Sequence, residues 1–210
     1  MSTPLLDGVQ VLDLSSVGPA SRASRMLADY GASVVKVAPT TRKGAVQIQP
    51  PFHTYGAARD WKRICIDLKS EVGRSAFLRL AAAADVVIES FRPGVVNRLG
   101  IGFDDVSQLN EAVVYCSTSG YGQSGPYADW AGHDINYLAL AGFLDCCEER
   151  ADGGPPIPGA TVADSAGGGM QAVIAILAAL VQRASSGRGR YLDVSAAEGV
   201  LSLMSLSIDQ

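Results

Sequence analysis

Histidine is scarce in this chain of 210 residues: there are two. One of them, His133, stands in "AGHDINYLALAG" directly ahead of an aspartate, between a glycine and an apolar run. Charge is scarce too. Asp, Glu, Lys and Arg make up 18% of the chain and the net charge is −4, with no basic run of five or more residues. That balance argues against nucleic acid as a partner, because counterion release needs clustered cations. Any anionic ligand must be held by a few placed Lys and Arg side chains. The four cysteines, Cys65, Cys116, Cys146 and Cys147, fit no metal or redox spacing, so no metal site is expected and the thiols read as free in a reducing compartment.

Nucleotide motifs are missing as well. The first apolar segment runs into "SSVGPAS", which is not GxGxxG, and no GxxxxGK[ST] occurs. The backbone N–H groups that follow Pro19 are open to an anion, although most such turns merely join elements. "MSTPLLDG" lacks the basic-then-apolar pattern of a secretory signal. The longest apolar segment, "GGGMQAVIAILAALVQR", looks too short and too charge-flanked to span a bilayer. The expectation is a soluble cytoplasmic protein with no membrane partner.

What is present is a buried-core composition, 48% hydrophobic. Short apolar runs alternate with helical ones. "VQVLDL" (9–14) reads as a strand, "GPASRASRMLADYG" as a helix closed by Gly31, and "SVVKV" (33–37) as a second strand. "ICIDL" (64–68), "DVVIES" (85–90) and "AVVYCSTSG" (112–120) are further strands, with a helix near 71–84. This predicts an α/β fold: an open, mostly parallel sheet with helices on both faces and right-handed crossovers. A helical segment (133–144), the loop "EERADGGPPIPGAT", an Ala-rich helix over 164–184, a strand "YLDVSA" and a last helical run follow.

Eight segments in register carry a resemblance. They are "PLLDGVQVLDLSSVGP", "MLADYGASVVKV", "KRICIDLKS", "DVVIESFRPGVVNRLGIG", "GYGQSGPY", "AGHDINYLALAG", "VADSAGGGM" and "AILAALVQRASSGRGRYLDVSAAEG". Together they resemble family III CoA-transferases (CaiB/BaiF-like), and among them the α-methylacyl-CoA racemases. The resemblance covers essentially the whole chain. It implies a Rossmann-like, CoA-binding large domain, incomplete here and assigned to 1–184. Residues 185–210 would then form a linker strand and helix toward a small domain. It also implies acyl-CoA thioester substrates, with coenzyme A carried as part of the substrate and no separate cofactor. The implied partner is a second copy in a homodimer, or a C-terminal chain.

The implied chemistry is a 1,1-proton transfer at the α-carbon of a 2-methyl-branched acyl-CoA. It needs one acid/base group on each face of that carbon, and donors for the enolate oxygen. By resemblance His133 and Asp164 are those two groups, and Glu89 supports the histidine. Each has a plainer reading: a half-buried ring for His133, a helix N-cap for Asp164 and a surface carboxylate for Glu89. Gly167, Gly168 and Gly169 weaken a helix start, and they make sense if a thioester approaches the backbone there. Asp134 stays outside the catalytic set.

For the CoA phosphates the resemblance points to Lys62, Arg92 and Arg98, each of which could also be an ordinary surface charge. Ser16 and Val17 would flank the pantetheine arm. Related sequences often carry a base just before the proline where this chain has Ala38–Pro39; either Arg42 or Lys43 reaches the 3′-phosphate instead, or CoA affinity is weakened. The alternative activity is CoA transfer between a thioester and a carboxylic acid, with Asp164 as a covalent nucleophile. A third possibility is a non-catalytic chain that binds CoA esters or a partner.

Overall fold

The computed structural model describes residues 3–15, 18–40 and 61–208. Ser16, Val17, Arg42 and Lys43 therefore lie outside the described residues.

The chain alternates strand and helix in the order β1 (Gln10–Asp13), α1 (Pro19–Asp29), β2 (Ser33–Ala38), β3 (Lys62–Cys65), α2 (Glu71–Ala81) and β4 (Val86–Glu89). Then come α3 (Val95–Leu99), α4 (Phe103–Ser107), β5 (Val114–Ser119), α5 (Asp134–Leu140) and a wide π-helical turn, Ala163–Met170. That turn continues into α6 (Gln171–Ser186), β6 (Arg190–Ser195), α7 (Ala196–Leu203) and α8 (Ser205–Ile208).

Among the described residues six strands form one sheet, every pair parallel, in the spatial order β3-β2-β1-β4-β5-β6. The order reverses between β1 and β4. In open α/β sheets that reversal leaves a crevice at the carboxyl ends of the strands, where ligands bind. The Rossmann-like expectation thus holds, with helices covering both faces.

Two-residue periodicity in the strands explains why. Val11, Val34, Val86, Ile88, Val114 and Cys116 point to one face, against Ala20, Ala23 and Leu27 of α1 and Ala172 and Ile176 of α6. Leu12, Val37, Val87 and Tyr115 point to the other, against Phe77 and Ala81 of α2 and against Val96 and Val106. Strands buried on both faces carry near-continuous apolar runs, as these do. A third cluster joins α5, the π-helical turn and α7 through Tyr137, Leu138, Ala163, Ala196 and Val200. It fixes the elements that carry the site.

Two expectations need adjusting. The strand expected over 64–68 starts earlier and stops at Cys65. Asp67 takes the Lys69 N–H on its side chain (3.1 Å), and Ser70 caps α2 by accepting the Gly73 N–H (3.0 Å), so a turn replaces the last strand residues. β6 pairs with β5 from Arg190 to Ser195 at one edge of the sheet. Arg183 reinforces this edge by pairing with Asp85 at 2.9 Å, while Asp85 also accepts the Gln10 N–H at 2.8 Å.

Finally, the apolar segment judged too short for a bilayer belongs to a 24-residue helical run, Ala163–Ser186, which by length and composition could cross one. Its buried residues Ala172, Val173, Ile176 and Ala179 pack on the sheet and on α1, which is how a core helix uses such a sequence.

Candidate active site

His133 sits at the N-cap position of α5 with extended backbone (φ −128°, ψ 176°). Its N–H donates to the Asn136 side chain at 2.9 Å, which satisfies a donor at the helix start. The turn before it is pinned by Tyr137, whose hydroxyl donates to the Gly132 carbonyl at 2.6 Å. Gly132 has no room for a side chain, since a Cβ there would lie 2.6 Å from the Tyr137 ring. His133 opens onto a cleft of about 400 Å³, lined by Phe91 and Arg92 after β4, Gly120 after β5, and Trp130 and Tyr137. The half-buried packed ring is therefore not what the fold makes of it; the imidazole borders open space.

Asp164 lies inside the π-helical turn, where no side-chain cap is made, so the N-cap reading fails. Its N–H donates to the Asp134 carboxylate at 2.8 Å. Asp134, the first residue of α5, thus ties the aspartate-bearing turn to that helix. The Asp164 carboxylate is four-fifths buried and faces the Arg22 guanidinium at 3.6 Å. Burial raises its pKa; Arg22 opposes that, Asp134 reinforces it and His133 again opposes it. His133 and Asp164 therefore lie close enough to feel each other's charge.

The three glycines after Asp164 serve a different purpose from the one expected. A Cβ on Gly167 would sit 2.6 Å from the Ala196 carbonyl oxygen, and one on Gly168 would sit 2.6 Å from the Pro19 ring. Their free space is filled by α7 and α1, so they permit close helix crossing rather than access for a thioester.

Glu89 ends β4 and is 1% exposed, which overturns the surface-carboxylate reading. It accepts the Phe91 N–H at 2.6 Å. Burial pushes its pKa up to about 7, while the Ser117 hydroxyl and the Phe91 amide pull it down and Asp193 adds to the rise. It directly precedes residues 90–93, which line the cleft, and is not itself part of that lining.

The cations divide. Arg92 lines the cleft with His133. Arg98 is in the last turn of α3, on the stretch that follows β4, with its guanidinium against Gly94. Lys62 is not brought to this group. It begins β3 and borders a separate pocket with Arg25, Asp29 and Trp61, toward the amino ends of β2 and β3. Sequence reasoning missed Arg22. The available signal was a base in the first turn of α1, where the helix dipole disfavours it unless a carboxylate faces it.

Fold and site together define a doubly wound α/β protein whose ionisable groups gather beside the carboxyl edge of its sheet. The chain belongs to CoA-transferase family III, whose model matches residues 6–210. It is 38% identical over 201 residues to the alpha-methylacyl-CoA racemase of Mus musculus, covering 96% of this chain and 50% of that protein. It is 36% identical to the succinate–glutarate CoA-transferase of Agrobacterium fabrum, covering 91% of this chain and 51% of that protein. Among solved structures it superposes on a CAIB/BAIF family protein from Brucella suis with a TM-score of 0.90 at 30% identity, covering 100% of this chain and 57% of that one. The chain spans about half the length of the curated relatives it matches. The relatives it matches thus include both a racemase and a CoA-transferase.

Proposed function

We propose that the protein to which this chain contributes is a racemase of 2-methyl-branched acyl-CoA thioesters. The observation that carries this reading is the tie between His133 and Asp164: the residue next to the imidazole holds the aspartate's own N–H, across 30 residues of sequence. One of the two groups takes the α-proton, and the electron pair moves onto the thioester oxygen as an enolate. The other group, protonated beforehand, delivers its proton to the opposite face of the same carbon. The carbonyl re-forms, the two groups have exchanged protonation states, and solvent restores them. Burial raises the Asp164 pKa above the ordinary carboxylate value, a shift in the direction that proton return by this group needs. Glu89 would support His133, and Arg92 and Arg98 would meet the CoA phosphates.

The second reading, CoA transfer, is favoured by the Arg22–Asp164 pair, because a nucleophilic carboxylate must be ionised. In that case an Asp164 oxygen bonds to the acyl carbon, the C–S bond breaks and the CoA thiolate leaves. The thiolate then attacks the aspartyl carbonyl, which releases the free acid and leaves CoA on Asp164 as a thioester; the acceptor carboxylate attacks that carbonyl, the thiolate leaves again, and its attack on the acceptor's acyl carbon forms the new acyl-CoA and frees the Asp164 carboxylate.

A chiral 2-methylacyl-CoA incubated with the intact gene product in deuterated water separates the two. Deuterium at the α-carbon with loss of optical purity supports the racemase. CoA exchange onto a free carboxylate without deuterium uptake supports the transferase and overturns the first reading.

A further inference from the structure

We propose that Arg22 is a positioning residue for Asp164, reaching from α1 to keep that carboxylate ionised and its oxygens open to a substrate. Its fork is held by two hydroxyls: Nε donates to Ser165 Oγ at 3.0 Å and Nη2 to Thr161 Oγ1 at 2.7 Å. Those hydroxyls lie 3.3 Å from each other, and the Ser165 N–H donates to the Thr161 carbonyl at 2.9 Å, so the segment that carries them is itself fixed. Nη1 is the end left for the carboxylate, and it stands 3.6 Å from Asp164 Oδ2.

That distance decides the role. A bidentate pair would occupy both carboxylate oxygens with short hydrogen bonds. A single nitrogen at 3.6 Å acts through charge and leaves the oxygens free to meet an acyl group.

Among the described residues, Arg22 is the group that forms an ion pair with the Asp164 carboxylate. From α5 come His133, the acidic Asp134, which accepts the Asp164 N–H, and Tyr137, whose hydroxyl is kept protonated by burial. From α7, packed against the π-helical turn, the titratable side chain is the exposed Glu198. From α1 the group in contact is Arg22. Arg22 is thus the cation set against the Asp164 carboxylate, and burial and Asp134 work against it.

The proposal rests on the reading above only in taking Asp164 as the reacting carboxylate, and its test does not use the reaction. The Asp164 carboxyl carbon is followed by ¹³C NMR titration in protein labelled at aspartate, its signal assigned with Asp164→Asn. In Arg22→Gln the midpoint should rise by about one pH unit, a tenfold change in the proton equilibrium. In Arg22→Lys, which keeps the charge but not the fork, it should rise by less. An unmoved midpoint in folded Arg22→Gln overturns the proposal, as does an equal rise in Arg22→Lys. If Arg22→Gln does not fold, Thr161→Val carries the test, because it removes only an orienting hydroxyl: an upward shift supports the proposal and an unmoved midpoint refutes it. The acid limb of α-proton exchange should follow the titration. If the midpoint moves and the exchange profile does not, Arg22 keeps its role and Asp164 loses the one assigned above.

Discussion

A methyl group added at Gly199 tests how the site is held together. This glycine lies on α7 where that helix crosses the π-helical turn, and a Cβ there would overlap the Gly167 carbonyl. Both obstacles are backbone, so no side chain can swing aside. Overpacking of that kind costs about 3 kcal/mol, the upper part of the usual range. Replacing a helical glycine by alanine returns about 1 kcal/mol. A net loss near 2 kcal/mol corresponds to a melting temperature lower by about 4–8 °C in a chain of this size. Gly199→Ala and Gly159→Ala should be melted side by side by circular dichroism. A Cβ at Gly159 meets nothing within 4 Å, so that control should stay within about 0.5 kcal/mol of the parent. The same crossing sets the position of Asp164, so Gly199→Ala should also weaken proton exchange more than its stability loss explains. If Gly199→Ala melts with the parent, the close crossing of α7 over the turn is refuted.

Two further outcomes follow from the buried charges. Glu89 binds its proton more tightly in the fold, with its pKa at about 7, than in the unfolded chain near 4.5, so the unfolded state holds fewer protons between those values. Stability should therefore fall by about 3 kcal/mol as pH rises from 4.5 to 7, and Glu89→Gln should abolish that slope in urea titrations run across the range. Lys36 pairs with the fully buried Asp13 at 3.1 Å and also donates to the Ser15 carbonyl and hydroxyl. Lys36→Met strands the Asp13 charge and should cost about 3–5 kcal/mol, whereas Asp13→Asn with Lys36→Met should recover part of it, both read from denaturant midpoints.

The alternation of apolar runs and helix signals made the sheet legible, because strands buried on both faces announce themselves in sequence. His133 and Asp164 stood out only through the resemblance, since neither residue alone outweighs an ordinary structural use; the bond between Asp134 and Asp164 had no signal in sequence. Tertiary partners decided the rest. Nothing local to Gly167–Gly169 says whether their missing side chains make room for a ligand or for α7. Nothing local to Lys62 says that its strand starts there and turns it away from the cleft. Asp134 and Arg22 act on Asp164 from 30 and 142 residues away, distances over which sequence spacing carries no geometry.

The central claim is that His133 and Asp164 serve opposite faces of one carbon. The most direct measurement follows the loss of the α-proton from each enantiomer of a 2-methylacyl-CoA in deuterated water, with the parent protein, His133→Gln and Asp164→Asn. The account predicts that the parent exchanges both enantiomers, while each variant exchanges one and spares the other, with opposite choices. Variants that lose both enantiomers equally, or keep both, would contradict it.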